Sequence, residues 1–108
     1  MSTVYYLRYN ICDFCDRYDE IRVCKFSGGN PPLIYGIKNL YVDKYTRDIN
    51  ITSYSELQNA IECGIFTLFD EYNREINPTA FYDNFEYFRQ FGEEKVIIES
   101  EIKLWKNY

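Results

Sequence analysis

Four cysteines constrain this chain more than any other feature; they are spaced Cys12-x2-Cys15-x8-Cys24-x38-Cys63. Cys12 and Cys15 form a CxxC on a turn between residues 3–11 and 19–26, two runs that read as β-strands from their β-branched and aromatic content. Two thiolates on such a knuckle reach one ion, and zinc completes a tetrahedron with four ligands at about 2.3 Å from sulfur. Cys24 lies back along the second strand and reaches the same end if that strand bulges. Cys63 ends a predicted helix and closes the site from the far side. The spacing thus points to one structural zinc on Cys12, Cys15, Cys24 and Cys63. The smaller alternative is Cys12, Cys15 and one of the other two, completed by Asp13, Asp16 or a second chain; buried free thiols are another. A redox pair is disfavoured, because a redox CxxC uses a helix N-terminus to lower its thiol pKa and this one joins strands. With four sulfurs committed, no open position is left for substrate, so the metal serves the fold.

The remaining pattern predicts a single α+β domain over residues 1–108, a small antiparallel sheet with two helices and the zinc knuckle between its first two strands. Alternation along 19–26 places Ile21, Val23 and Lys25 on one face, with Glu20, Arg22, Cys24 and Phe26 on the other. Ser27-Gly28-Gly29-Asn30 is a loop, residues 33–37 a third strand extended or followed by 39–45, and 48–52 a short extended piece. Ser53 with Glu56 forms a capping box for a helix over 54–63, with Leu57, Ala60 and Ile61 inward and Gly64 as its stop. A strand over 66–70 and a turn over 71–75 follow. Asn77-Pro78 then starts a second helix to Phe91, with Phe81, Phe85 and Phe88 as its core stripe and Gly92 beyond. Residues 95–105 begin extended and read as a last strand.

The formal charge of −5 disfavours a surface that grips phosphates by neutralising them. Residues 70–108 carry nine acids and five bases, which suits a basic partner. The absence of histidine removes the commonest general base at neutral pH, and with it the Cys/His and Ser/His pairs, so the chain reads as no enzyme. No apolar run reaches membrane-spanning length, and the first residues lack the charged start and apolar core of a signal peptide. The expected compartment is therefore the cytoplasm, where cysteines serve as ligands rather than disulfides. Twelve tyrosines and eight phenylalanines exceed what a small core needs, so some lie at its half-buried edge or on a partner-binding surface. Asp70, Glu71 and Glu75 read as a solvated turn. Arg8, Arg17, Arg22 and Lys25, with Tyr18 among them, are the candidate contacts if the chain is instead a small zinc-ribbon-like nucleic-acid-binding module.

Two stretches carry a resemblance. Cys12-Asp-Phe-Cys15-x-Arg17-Tyr18-Asp19-Glu20-Ile21 with Lys25-x-Ser27-Gly28-Gly29, and Phe69-Asp70-Glu71-Tyr72-x-Arg74-Glu75-Ile76, resemble the signatures of a group of small uncharacterised bacteriophage proteins. In that group a histidine commonly stands at position 22 and a glycine at 24. Arg22 and Cys24 depart from it, and on a regular strand they share a face, so the departure reads as an exchange of one metal ligand for another. Small acidic phage proteins are often inhibitors of host defences, and a metal-holding one is similar to zinc-containing anti-CRISPR proteins that block type II RNA-guided nucleases. The resemblance implies an inhibitor acting by protein–protein contact in the host bacterial cytoplasm. Glu71, Tyr72, Glu75, Tyr82, Glu86, Glu93 and Glu94 are then the expected contacts with a basic groove of a host CRISPR effector.

Overall fold

The computed structural model describes residues 2–12, 14–15, 17–40, 42 and 49–98. Strands β1 (Ser2–Tyr9), β2 (Asp19–Ser27), β3 (Leu33–Leu40) and β4 (Ile49–Ile51) precede helix α1 (Tyr54–Glu62). Strand β5 (Thr67–Asp70), helix α2 (Pro78–Arg89) and strand β6 (Lys95–Ile98) complete an α+β fold. The sheet runs β4-β3-β2-β1-β5 with antiparallel neighbours, and β6 joins β3 in parallel. β1 stops two residues short of the expected end, where Asn10 turns through φ 51°. Of the expected 95–105 strand, residues 99–105 lie outside the described residues, as does most of 39–45.

Local signals set both helices. Ser53 Oγ accepts from the Glu56 N–H at 3.2 Å, while the Glu56 carboxylate accepts from the Thr52 N–H at 3.0 Å. The reciprocal half of the capping box is thus displaced by one residue. Asn77 Oδ1 accepts from the Thr79 N–H at 2.8 Å, with Pro78 at the first helical position. Gly64 takes φ 85° after α1, a conformation that side chains resist.

The two helices cover one face of the sheet. Tyr5, Leu7 and Tyr9 of β1 point into it, and so do Leu68 and Asp70 of β5. From α2, Phe81 lies 5.1 Å from Tyr5 and 5.6 Å from Phe26, ring centre to ring centre. Tyr54 of α1 stacks on Phe85 of α2 at 3.6 Å, which locks the helices to each other above the same face. Burying each such ring contributes roughly 1.5–3 kcal/mol.

One irregularity changes the meaning of β2. Tyr5 pairs with Cys24, but Tyr6 pairs with Arg22, so Val23 is an extra, bulged residue. The bulge resets the alternation. Ile21 faces the helices with Cys24 and Phe26, whereas Glu20, Arg22 and Lys25 face away. The expectation that Arg22 and Cys24 share a face, and Ile21 and Lys25 the other, is corrected by this one inserted residue. A direct replacement of a ligand at position 22 by Cys24 is removed with it.

Candidate partner-binding cleft

Arg8 organises the far end of the sheet. Its strand turns it away from the helices, opposite Glu20 on β2 and Thr67 on β5. Arg8 Nε donates to Glu20 Oε2 at 2.8 Å, and Nη2 donates to Asn73 Oδ1. The guanidinium carbon lies 3.8 Å from the centre of the Phe69 ring and 4.2 Å from that of Tyr18. A planar cation between two rings gains from both quadrupoles. One side chain thus ties the β1–β2 loop to the turn after β5.

That turn is built on Asp70. Its carboxylate accepts from the N–H groups of Tyr72 and Arg74 and from Arg74 Nε, each at 2.9 Å. Asp70 N–H returns to the Arg74 carbonyl at 3.0 Å, and Asn73 adopts φ 65°, which presents its amide to Arg8. Burial works against ionisation of Asp70, but the Arg74 N–H, the Arg74 guanidinium and the Tyr72 N–H outweigh it and hold the carboxyl below the usual range. The expected solvated turn is therefore corrected in part: Asp70 is only 3% exposed, while Glu71, Tyr72 and Glu75 are exposed.

Between loop and turn lies a cleft of about 420 Å³, whose walls include Arg8, Ile11, Cys12, Tyr18, Phe69 and Glu75. Its walls mix polar and apolar groups, and exposed rings stand in the adjoining loop and turn. Phe14 is 98% exposed and Tyr72 61%, with Ile11 and Tyr18 also exposed. The two stretches that carried the resemblance, 12–21 and 69–76, meet here through Arg8.

The expected contact residues divide between two places. Glu71, Tyr72 and Glu75 belong to the turn after β5, where Glu71 Oε1 also accepts from the Val4 N–H at 3.2 Å. Tyr82, Glu86, Glu93 and Glu94 belong to α2 and the turn beyond it. Tyr82 donates to Glu62 Oε1 at 3.4 Å, and Arg89 holds Glu86 at 2.9 Å and Glu94 at 2.7 Å. Two of the acids expected to face a basic groove thus already have an internal cation.

The thiols are scattered. Cys12 is half-buried at the cleft and Cys15 exposed, within a loop closed by the Cys12 N–H on the Arg17 carbonyl at 2.9 Å. Cys24 has no exposed surface and sits on β2 between Tyr5 and Ile34. Burial pushes its thiol far up, with only partial relief from the Lys25 N–H. Cys63 is exposed beyond α1, where Sγ donates to the Ala60 carbonyl at 3.0 Å. Among the described residues no three Cys, Asp or Glu side chains are gathered as for a metal ion, and Asp13 and Asp16 lie outside them. Among the described residues the four sulfurs are thus not gathered at one point. Thiol labelling of the reduced, folded protein should modify Cys63 rapidly, with or without a chelator, and Cys24 only after denaturation. Protection of Cys63 that a chelator abolishes would restore it as a zinc ligand.

Sequence reasoning missed Arg8 as the link between both motifs and Asp70 as a buried carboxylate. The run 3–11 contained the first signal, an arginine as its one charged residue. Among the described residues, no helix is long and apolar enough to cross a membrane. Comparison with protein-family models, with curated proteins and with solved structures returned no match.

Proposed function

We propose that the chain is a phage-encoded inhibitor of a host defence system, acting in the bacterial cytoplasm by protein–protein contact. Its target is an RNA-guided nuclease of a CRISPR system. The observation that supports this reading is the meeting of the two resemblance-bearing stretches at one cleft whose walls include Ile11 and Tyr18, with Phe14 exposed in the adjoining loop and Tyr72 in the adjoining turn. Aromatic residues and arginine are what interface centres are enriched in, and a nearly bare phenylalanine gains most when a partner pocket removes it from water. Glu71 and Glu75 add negative charge beside those rings and favour a basic surface on the effector. The reading assigns the chain no reaction of its own. A structural zinc enters it only through the loop pair Cys12 and Cys15. About one zinc per chain, lost in Cys12→Ser, would establish the metal, and its absence from freshly purified, reduced protein would remove it.

Binding to a purified effector, followed by calorimetry, tests the reading. Phe14→Ala and Tyr72→Ala should each weaken binding roughly thirtyfold, the scale of a residue at an interface centre. The melting temperature should hold, because both side chains are exposed. Unchanged affinity in both variants, with loss on charge reversal at Glu86, Glu93 and Glu94 together, would move the contact to α2.

A further inference from the structure

The bulge at Val23 gives the helix-free face of the sheet a composition that the whole chain does not have. By register, Arg8, Arg22, Lys25 and Lys95 all lie on that face. Arg8 is opposite Glu20, Arg22 opposite Tyr6, Lys25 opposite both Val4 and Leu33, and Lys95 opposite Leu33. Glu20 lies among them, and Glu75 joins the face through its bridge to Phe69. Tyr6, Phe69 and Tyr35 share the face, with the Arg8 guanidinium on Phe69 and that of Arg22 over Tyr35 at 4.4 Å. The helix layer opposite carries Glu56, Glu62, Asp83 and Glu86, and the turn after α2 adds Glu93 and Glu94. Among the described residues of that layer, Arg89 is the counter-charge. Among the described residues, charge is therefore unevenly distributed across the sheet.

We infer that this face binds a single-stranded nucleic acid, with phosphates held by Arg22, Lys25 and Lys95 and bases stacked on Tyr6 and on the Arg22 guanidinium plane. Cations set among aromatic rings on an open sheet are suited to this ligand, since every base has a π-face and splayed strands expose it. A four-stranded sheet face seats two or three bases in RNA-binding modules. An acidic peptide would use the cations but gain little from the rings. A duplex hides its base faces. The acids on the helix layer do not prevent binding, because phosphate contacts act locally and charges beyond about 8 Å are screened at physiological salt. The inference goes beyond the inhibitor reading and concerns the middle of the helix-free face, around Arg22, Lys25 and Lys95, beside the cleft at Arg8.

Fluorescence anisotropy with labelled oligouridylate and oligothymidylate, using the full chain and no effector, tests it independently of that reading. Micromolar binding of either single strand is expected, weakening with salt at a logarithmic slope near −2, as for about three phosphates. Lys25→Glu should lower affinity about tenfold, and Arg22→Glu with Lys25→Glu further. Should loss of the Arg22–Tyr35 contact unfold the double variant, Lys25→Glu with Lys95→Glu supplies the same test from two positions outside that contact. Absence of single-strand binding at low salt would overturn the inference, as would unchanged affinity in the charge reversals. So would a duplex of equal length binding as tightly, or polyglutamate competing as well as the oligonucleotide per unit charge.

Discussion

Phe85→Ala is expected to bring the domain close to unfolding at room temperature. Phe85 is fully buried, stacked on Tyr54 and within 5.9 Å of Phe26 and 6.2 Å of Phe81, so its ring joins α1, α2 and β2. Truncating such a ring loses its transfer energy and leaves a cavity, about 3–5 kcal/mol together. A domain of this size has about 5–15 kcal/mol in total, and the melting temperature should drop by about 15 °C or more. Phe91→Ala is the control, since that ring is exposed at the end of the same helix region and its loss should cost about 0.5 kcal/mol or less. Equal effects from the two substitutions, in thermal melts followed by circular dichroism, would show that the aromatic layer is not the core.

Asp70→Asn should be the most damaging polar substitution. The amide can still accept from the Tyr72 and Arg74 N–H groups, but it loses the negative charge that strengthens those bonds, at a cost of about 2–3 kcal/mol near neutral pH. The Arg74 guanidinium is 70% exposed, so the ion pair itself contributes little of this. The pH dependence has a definite sign. A carboxyl held below its unfolded value of about 3.9 stabilises the fold above that value. The contribution is lost as pH falls through the lower, folded value. Wild type and Asp70→Asn should therefore differ most at neutral pH and converge in acid, as pH falls through the lower, folded value. Chemical denaturation at several pH values checks this, and a gap that persists undiminished in acid would assign the effect to packing instead.

Much of the architecture was legible because its causes are local. Ser53, Asn77, Pro78 and Gly64 act within a turn of where they stand, and the spacing of Phe81 and Phe85 reports the buried stripe of α2 directly. What was not legible depends on a partner far along the chain. The bulge at Val23 exists only relative to Tyr5 and Tyr6, so alternation read along β2 alone assigned Arg22, Cys24 and Lys25 to the wrong companions. Asp70 looked like one acid among several, and its burial follows from the pairing of β5 with Tyr5. The cysteines show the same limit, since linear spacing carries no information on which thiol the core encloses. At the cleft, Phe69 and Tyr18 were visible as residues of a motif, while Asn73 stood at an unspecified position within one. Their meeting on Arg8 required the β1–β5 register.

The parallel pairing of β3 with β6 bears on how the chain reaches its folded state. β1 and β2 are joined by a short loop and can associate as soon as both exist. β6 has to return across everything between Leu33 and Lys95 before its first ladder bond forms, and β5 must find β1 from the other half of the chain. Such contacts are favoured only after a large loop has closed, which is entropically costly and slow. On a ribosome, β3 emerges well before the strand that pairs with its Leu33–Gly36 segment. That segment is then an open edge, the kind of surface through which nascent sheets associate wrongly. The order of assembly favoured by this topology starts at the β1–β2 ribbon and ends at β6, so the vulnerable interval lasts until residues 95–98 have been made.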